Sequence, residues 1–191
     1  METDSNWFAK KVMISKFPTA GDIQAGKYDN YKYRINVSDI FRPDIDTAFK
    51  HQGVESFWFP LGEAFGMSLE SLYGAMRIMW EVEKHDQFLL LHCHAGRNRS
   101  VMVADCYYFL RTQEHRKRNQ ADLPYAKNNL NRLLLNIDDA QLPGVYKMEE
   151  FLECCRETFN ESFTEGDRPL DWIKHNMHIR GSGFADSATP R

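Results

Sequence analysis

The 191-residue chain has no surplus of positive charge, since 24 Lys and Arg stand against 27 Asp and Glu for a formal net charge of -3. With nothing in excess to neutralise a phosphate backbone or an anionic bilayer surface, nucleic-acid binding is not expected. Long apolar runs are missing as well. Stretches such as Phe88-Leu89-Leu90-Leu91 fall far short of the ~20 residues that cross a bilayer, so no transmembrane segment is expected. The opening residues Met1–Lys11 carry two acids and no long apolar core, so they do not read as a secretory leader. Cysteine is sparse: Cys93, Cys106, Cys154 and Cys155, two of them adjacent, make a poor stapling framework for a chain this long. Reduced thiols in a cytoplasmic compartment are the expectation. There is no internal repeat. What remains is an ordinary globular composition, 42% hydrophobic, at a length that suits one domain.

Periodicity supplies the organisation. Tyr31, Tyr33, Ile35 and Val37 alternate with Lys32, Arg34 and Asn36, the pattern of a half-buried strand. Pro43 and the polar stretch Asp44–Gln52 suit a short helix ended by Gly53, and Val54–Phe59 is an apolar, aromatic run of buried-strand length. Ser68 can cap a helix in which Leu69, Leu72, Tyr73, Met76, Met79, Trp80 and Val82 recur at spacings of three and four, running to about Lys84. Gln87–His92 is a short apolar strand, and the segment after Arg99 is apolar almost all round, as befits a buried central helix. His115-Arg116-Lys117-Arg118 reads as cations complementing that helix's end. Further helices are expected from Asp122 and Pro124 and after Pro143-Gly144, the latter carrying Val145, Met148, Leu152, Cys155 and Phe159. Alternating strands and helices predict an α/β domain with a mostly parallel central sheet flanked by helices. Ligands of such sheets bind beyond the carboxyl ends of the strands, and Asp39, Glu63 and Cys93 each follow a strand at that edge.

The informative segment is His92-Cys93-His94-Ala95-Gly96-Arg97-Asn98-Arg99-Ser100, between the apolar strand and the buried helix. A loop there can turn successive N–H groups inward as an anion nest, to which the following helix adds the positive end of its dipole. Gly96 frees the backbone from Cβ clashes, and Arg99 offers a planar fork for two phosphate oxygens. The substrate phosphate would therefore meet His94, Ala95, Gly96, Arg97, Asn98 and Arg99. Cys93 stands at the base of this cradle, where the same field favours the thiolate, the nucleophilic form. Ser100 can donate to the sulfur as it leaves. A zinc site on His92, Cys93 and His94 is the competing reading, and it lacks paired Cys-x-x-Cys or His-x3-His ligands.

The segment resembles the signature of the cysteine-dependent protein tyrosine phosphatase superfamily, His-Cys-x5-Arg-Ser/Thr, most closely its small dual-specificity members. The looser resemblance runs from about Tyr31 to Phe159. It implies a dual-specificity-like α/β fold and a metal-free, cofactor-free two-step hydrolysis. Cys93 attacks phosphorus, an acid protonates the departing oxygen, and water releases phosphate from the phosphocysteine. Arg99 and the loop N–H groups stabilise the equatorial oxygens, and His92 tunes the cysteine. The acid position after the Pro60-Leu61 step falls on Glu63, where relatives place aspartate; Asp39 is the rival, with Asp44 and Asp46 behind it. Lys147 stands where many relatives place Gln or Glu. His94 and Arg97 occupy positions that are cationic in phosphoinositide and inositol-phosphate members. The expected substrate is thus a phosphotyrosine protein, extending to phosphoserine and phosphothreonine, with inositol phosphates as the alternative and a non-catalytic phosphate-binding module as a third reading. Residues 1–166 are expected to form the single phosphatase domain. Residues 167–191 are expected to form an extension, partly docked through Leu170, Trp172 and Ile173 and partly flexible beyond Gly181.

Overall fold

Leu89-Leu90-Leu91-His92 is a strand with no polar face until its last residue, a composition that suits the middle of a parallel sheet covered on both sides. A computed structural model of the chain describes residues 5–62, 68–113 and 148–160 and puts this strand there. The elements run α1 (Ser5–Lys11), β1 (Val12–Ser15), α2 (Ala20–Gln24), β2 (Tyr33–Asn36), α3 (Pro43–His51), β3 (Glu55–Trp58), α4 (Leu69–Lys84), β4 (Leu89–His92), α5 (Arg99–Thr112) and α6 (Met148–Phe159). Among the described residues four strands form one sheet in the order β1-β4-β2-β3, every neighbouring pair parallel. The mostly parallel sheet expected from the sequence is all-parallel.

The pleat divides the core. Leu89 and Leu91 face a large cluster with Ile35 and residues of α1, α4, α5 and α6, whereas Leu90 faces a smaller one with Ile23, Tyr28, Ile45, Phe49 and Val54 from α2, α3 and their loops. Each such leucine, fully buried, contributes about 1.5–3 kcal/mol. α4 begins where predicted, with Ser68 Oγ accepting from the Ser71 N–H at 3.2 Å, and ends at Lys84. α5 has Met102, Val103, Ala104, Cys106, Tyr107 and Leu110 buried, and it packs against α1, α4, α6 and the sheet. Its far end is tied down by Glu83, which accepts from the Tyr107 hydroxyl and, at 2.8 and 3.0 Å, from the Arg111 guanidinium.

Three expectations are corrected. Ahead of the Tyr31–Val37 strand, where periodicity marks no element, the described residues hold α1 and β1; Val12–Ser15 is a four-residue edge strand, too short to show a period. The polar side of β2 is not solvated: Arg34 and Asn36 are both 1% exposed, because helices cover both faces of the sheet. β3, read as buried, is the other edge, with Trp58 exposed and Phe57 only half-buried. The helix expected from Asp122, the basic run 115–118 and the segment beyond 160 lie outside the described residues, whereas the helix after Pro143-Gly144 is found as Met148–Phe159.

Candidate active site

In register, Ser15, His92, Asn36 and Trp58 end their strands at one level, so the loops that follow them share one edge of the sheet. The loop after β4 is held there from both sides. Its His94 carbonyl accepts from the Phe17 N–H at 3.0 Å, and the His92 carbonyl accepts from the Val37 N–H at 2.9 Å. Gly96 has φ +70°, and a Cβ on it would lie 2.5 Å from the backbone N of Lys16 and the carbonyl carbon of Ser15. Only glycine lets the loop turn back so close to the end of β1.

That turn brings N–H groups onto sulfur. Cys93, 2% exposed, has its Sγ 3.3 Å from the Gly96 N–H and 3.2 Å from the Ser100 hydroxyl, which both donate to it. Burial works to raise the Cys93 pKa, but the Ser100 hydroxyl and the N–H groups of Ser100, Gly96 and Asn98 outweigh it and hold the thiol below its usual range. α5 starts at Arg99 behind Asn98, with no acidic residue in its first turn to offset the positive end of its dipole.

Arg99 is buried, and its Nη1 donates to Asp39 Oδ1 at 2.6 Å and to the Leu61 carbonyl at 3.0 Å. Asp39, its side chain 60% exposed, therefore does meet the signature segment. The Arg99 hydrogen bond lowers its pKa, so it stays a carboxylate. His94, Ala95 and Arg97 are exposed on the loop, and Asn98 is half-buried. Of the other acids named from the sequence, Asp44 pairs with Arg42 at 2.6 Å, and Asp46 accepts from Arg34 at 3.0 Å. Glu63 and Lys147 lie outside the described residues.

His92 is wholly buried and neutral. Burial and then the Arg34 charge push its pKa down to about 3. Its Nε2 accepts from Arg34 Nε at 2.9 Å, and Nδ1 lies 3.4 Å from the Cys93 carbonyl. Arg34 is the residue that sequence reasoning missed. In an alternating strand it reads as a solvent-facing cation, and nothing local signals the helix that covers it.

No family model and no curated protein sequence matches the chain. Solved structures do match it. A DUF442 chain from Shewanella putrefaciens CN-32, described as a phosphatase, aligns over 82% of this chain and 88% of its own with a TM-score of 0.52 at 14% identity. PTPMT1 in complex with PI(5)P aligns over 78% and 92% with a TM-score of 0.50 at 15% identity. The chain thus shares the α/β fold of these solved structures, with its own His92–Ser100 segment at the carboxyl edge of the sheet.

Proposed function

We propose that the protein is a cysteine-dependent phosphomonoesterase. The observation that carries this reading is the Cys93 sulfur, set in a tight loop with the Gly96 N–H and Ser100 hydroxyl aimed at it, with the buried Arg99 guanidinium held at the same sheet edge by Asp39 and the Leu61 carbonyl. The Cys93 thiolate attacks phosphorus and the ester oxygen departs, leaving phosphocysteine. Water then attacks phosphorus and gives its proton to the carboxylate that protonated the ester oxygen in the first step, the S–P bond breaks, and the Ser100 hydroxyl donates a hydrogen bond to the returning thiolate. The loop N–H groups and Arg99 stabilise the charge on the equatorial oxygens in both steps. Glu63 is the proposed proton donor to the leaving oxygen. Asp39, kept ionised by Arg99, orients the arginine instead.

The proposed substrates are phosphotyrosine proteins, with phosphoserine and phosphothreonine as extensions. A second reading, a phosphoinositide or inositol phosphate, is favoured by the exposure of His94 and Arg97 together on the loop face. Such cations suit a second phosphate group. PTPMT1, of the same fold, has been solved with PI(5)P.

The test is phosphate release from p-nitrophenyl phosphate at mildly acidic pH, with and without chelator, for wild type and Cys93→Ser. Chelator-resistant turnover that vanishes in the variant is the expected result. A folded wild type that binds phosphate without turnover would refute the enzyme and favour a binding module. Arg97→Ala then divides the substrate readings: it should cost about tenfold on an inositol polyphosphate and little on a phosphotyrosine peptide.

A further inference from the structure

A second polar cluster lies behind the signature loop, on the face of the sheet covered by α3. Arg34, in the centre of the sheet, is 1% exposed, and its guanidinium sits 4.8 Å over the Phe49 ring. Its Nη1 donates to Asp46 Oδ1 at 3.0 Å and to Ser56 Oγ at 3.4 Å, while Nε points the other way, to His92 Nε2 at 2.9 Å. Burying a guanidinium is expensive, and an apolar side chain against Phe49 would have filled this space more cheaply. The feature that no apolar residue could reproduce is the hydrogen bond to His92.

That bond decides a proton position. An arginine nitrogen can only donate, so His92 Nε2 must accept, and a neutral imidazole that accepts at Nε2 carries its single proton on Nδ1. Nδ1 faces the carbonyl of Cys93, 3.4 Å away. With the other tautomer, a lone pair would face that carbonyl oxygen and a proton would face the guanidinium. Both contacts would be repulsive.

We propose that Arg34, braced by Asp46, is a positioning residue that fixes the tautomer of His92 and, through the His92–Cys93 contact, the peptide that carries the nucleophile. The depressed pKa of His92 agrees with a ring held neutral in this way. The inference deepens the reading of Cys93 as nucleophile and rests on it only for its meaning in catalysis. Asp46 and Ser56 act on Arg34 rather than on the ring, and Phe17 packs edge-on against the imidazole at 4.9 Å without offering it a proton acceptor.

The experiment uses the full chain with its seven histidines labelled with ¹⁵N, the His92 signals being assigned by their loss in His92→Gln. Wild type at pH 7 should show His92 protonated at Nδ1 and bare at Nε2. The opposite tautomer in wild type would overturn the proposal without any further variant. Arg34→Met, which keeps the volume but removes the donor, should lose that signature and slow Cys93 alkylation by iodoacetamide at pH 6 about tenfold. The same substitution made in His92→Gln should change the alkylation rate less than about twofold, because Arg34 acts through the ring. Arg34→Lys keeps a buried cation beside Asp46 without the rigid fork, so it should recover thermal stability but not the tautomer or the alkylation rate. Recovery of all three would reduce Arg34 to a structural cation. None of these readouts needs turnover, so an inactive wild type would refute the phosphatase reading and leave the tautomer measurement to judge Arg34.

Discussion

Replacing Gly96 by alanine tests the tightest contact that the candidate site depends on. Two costs add. A non-glycine residue at φ +70° is strained by about 1 kcal/mol, and the new Cβ, 2.5 Å from backbone atoms of Ser15 and Lys16 that ordinarily come no nearer than 3.4 Å, must push loop and strand apart by about 1 Å. Overpacking of that kind costs about 1–3 kcal/mol, so the total is about 3 kcal/mol, or a fall in Tm of about 6–12 °C at this chain length. Gly53→Ala isolates the first cost, because Gly53 has φ +73° and open space around its would-be Cβ; it should lose only about 3 °C. A 1 Å displacement also takes the Gly96 N–H off the Cys93 sulfur, and misplacements of that size cost about 100-fold in rate. The assays are thermal melts followed by circular dichroism and iodoacetamide alkylation of Cys93 at pH 6, read by intact mass. Cys106, Cys154 and Cys155 are buried and serve as unreactive internal references. A Gly96→Ala chain that melts with wild type and alkylates at the same rate would refute the reasoning.

Ser100→Ala removes the hydroxyl donated to sulfur, so the Cys93 pKa should rise and breakdown of the phosphocysteine should slow by about 10- to 100-fold; burst kinetics with p-nitrophenyl phosphate separate that step from the first. Glu63→Gln should slow hydrolysis of an alkyl phosphate far more than that of p-nitrophenyl phosphate, whose leaving group needs no proton, and equal slowing of both would remove Glu63 as the acid. His92 sets an acid limit on the fold. With its pKa down from 6.5 to about 3, the unfolded chain binds more protons between those values, so its contribution is complete above about pH 6.5 and is lost as pH falls toward 3, by at most about 5 kcal/mol. Denaturant melts from pH 7 to 4 should show that slope in wild type and a shallower one in His92→Gln; identical slopes would mean that the imidazole is not buried neutral.

The parts of this molecule that could be read from its sequence are those where one segment carries its own pattern. β4 is legible because strands covered on both faces are apolar throughout, and α4 because a capping serine precedes sixteen residues of regular helical spacing. The signature segment is legible because Cys93, Gly96, Arg99 and Ser100 fall within eight consecutive residues, so their spacing can be read without any distant partner. The meeting of Asp39 with Arg99 also follows, since strands in parallel register end at one edge. What escaped depends on partners distant in the chain. β1 gains its strand state from pairing with Leu89–His92, and Arg34 is buried against Asp46 and Phe49 of α3, neither of which leaves a mark on alternation.

Of the two carboxylates proposed as rival acids, Asp39 is judged by what it touches. A general acid works best with a pKa near the working pH, and a carboxyl reaches that range by burial or by a neighbouring negative charge. Asp39 has the opposite surroundings: it is mostly exposed, and it receives the Arg99 Nη1 bond, which lowers its pKa and leaves it without a proton to give. Its use is geometric. Together with the Leu61 carbonyl it holds one corner of the guanidinium, so the fork is oriented before phosphate arrives and loses less rotational freedom on binding. Under the proposed phosphatase reading, the proton for the leaving oxygen is assigned to Glu63, two residues beyond Leu61 in the chain. Asp39→Asn should therefore weaken phosphate binding while leaving the difference between alkyl and p-nitrophenyl leaving groups intact. A gap between the two leaving groups that widens in Asp39→Asn and keeps its wild-type size in Glu63→Gln would reverse the assignment.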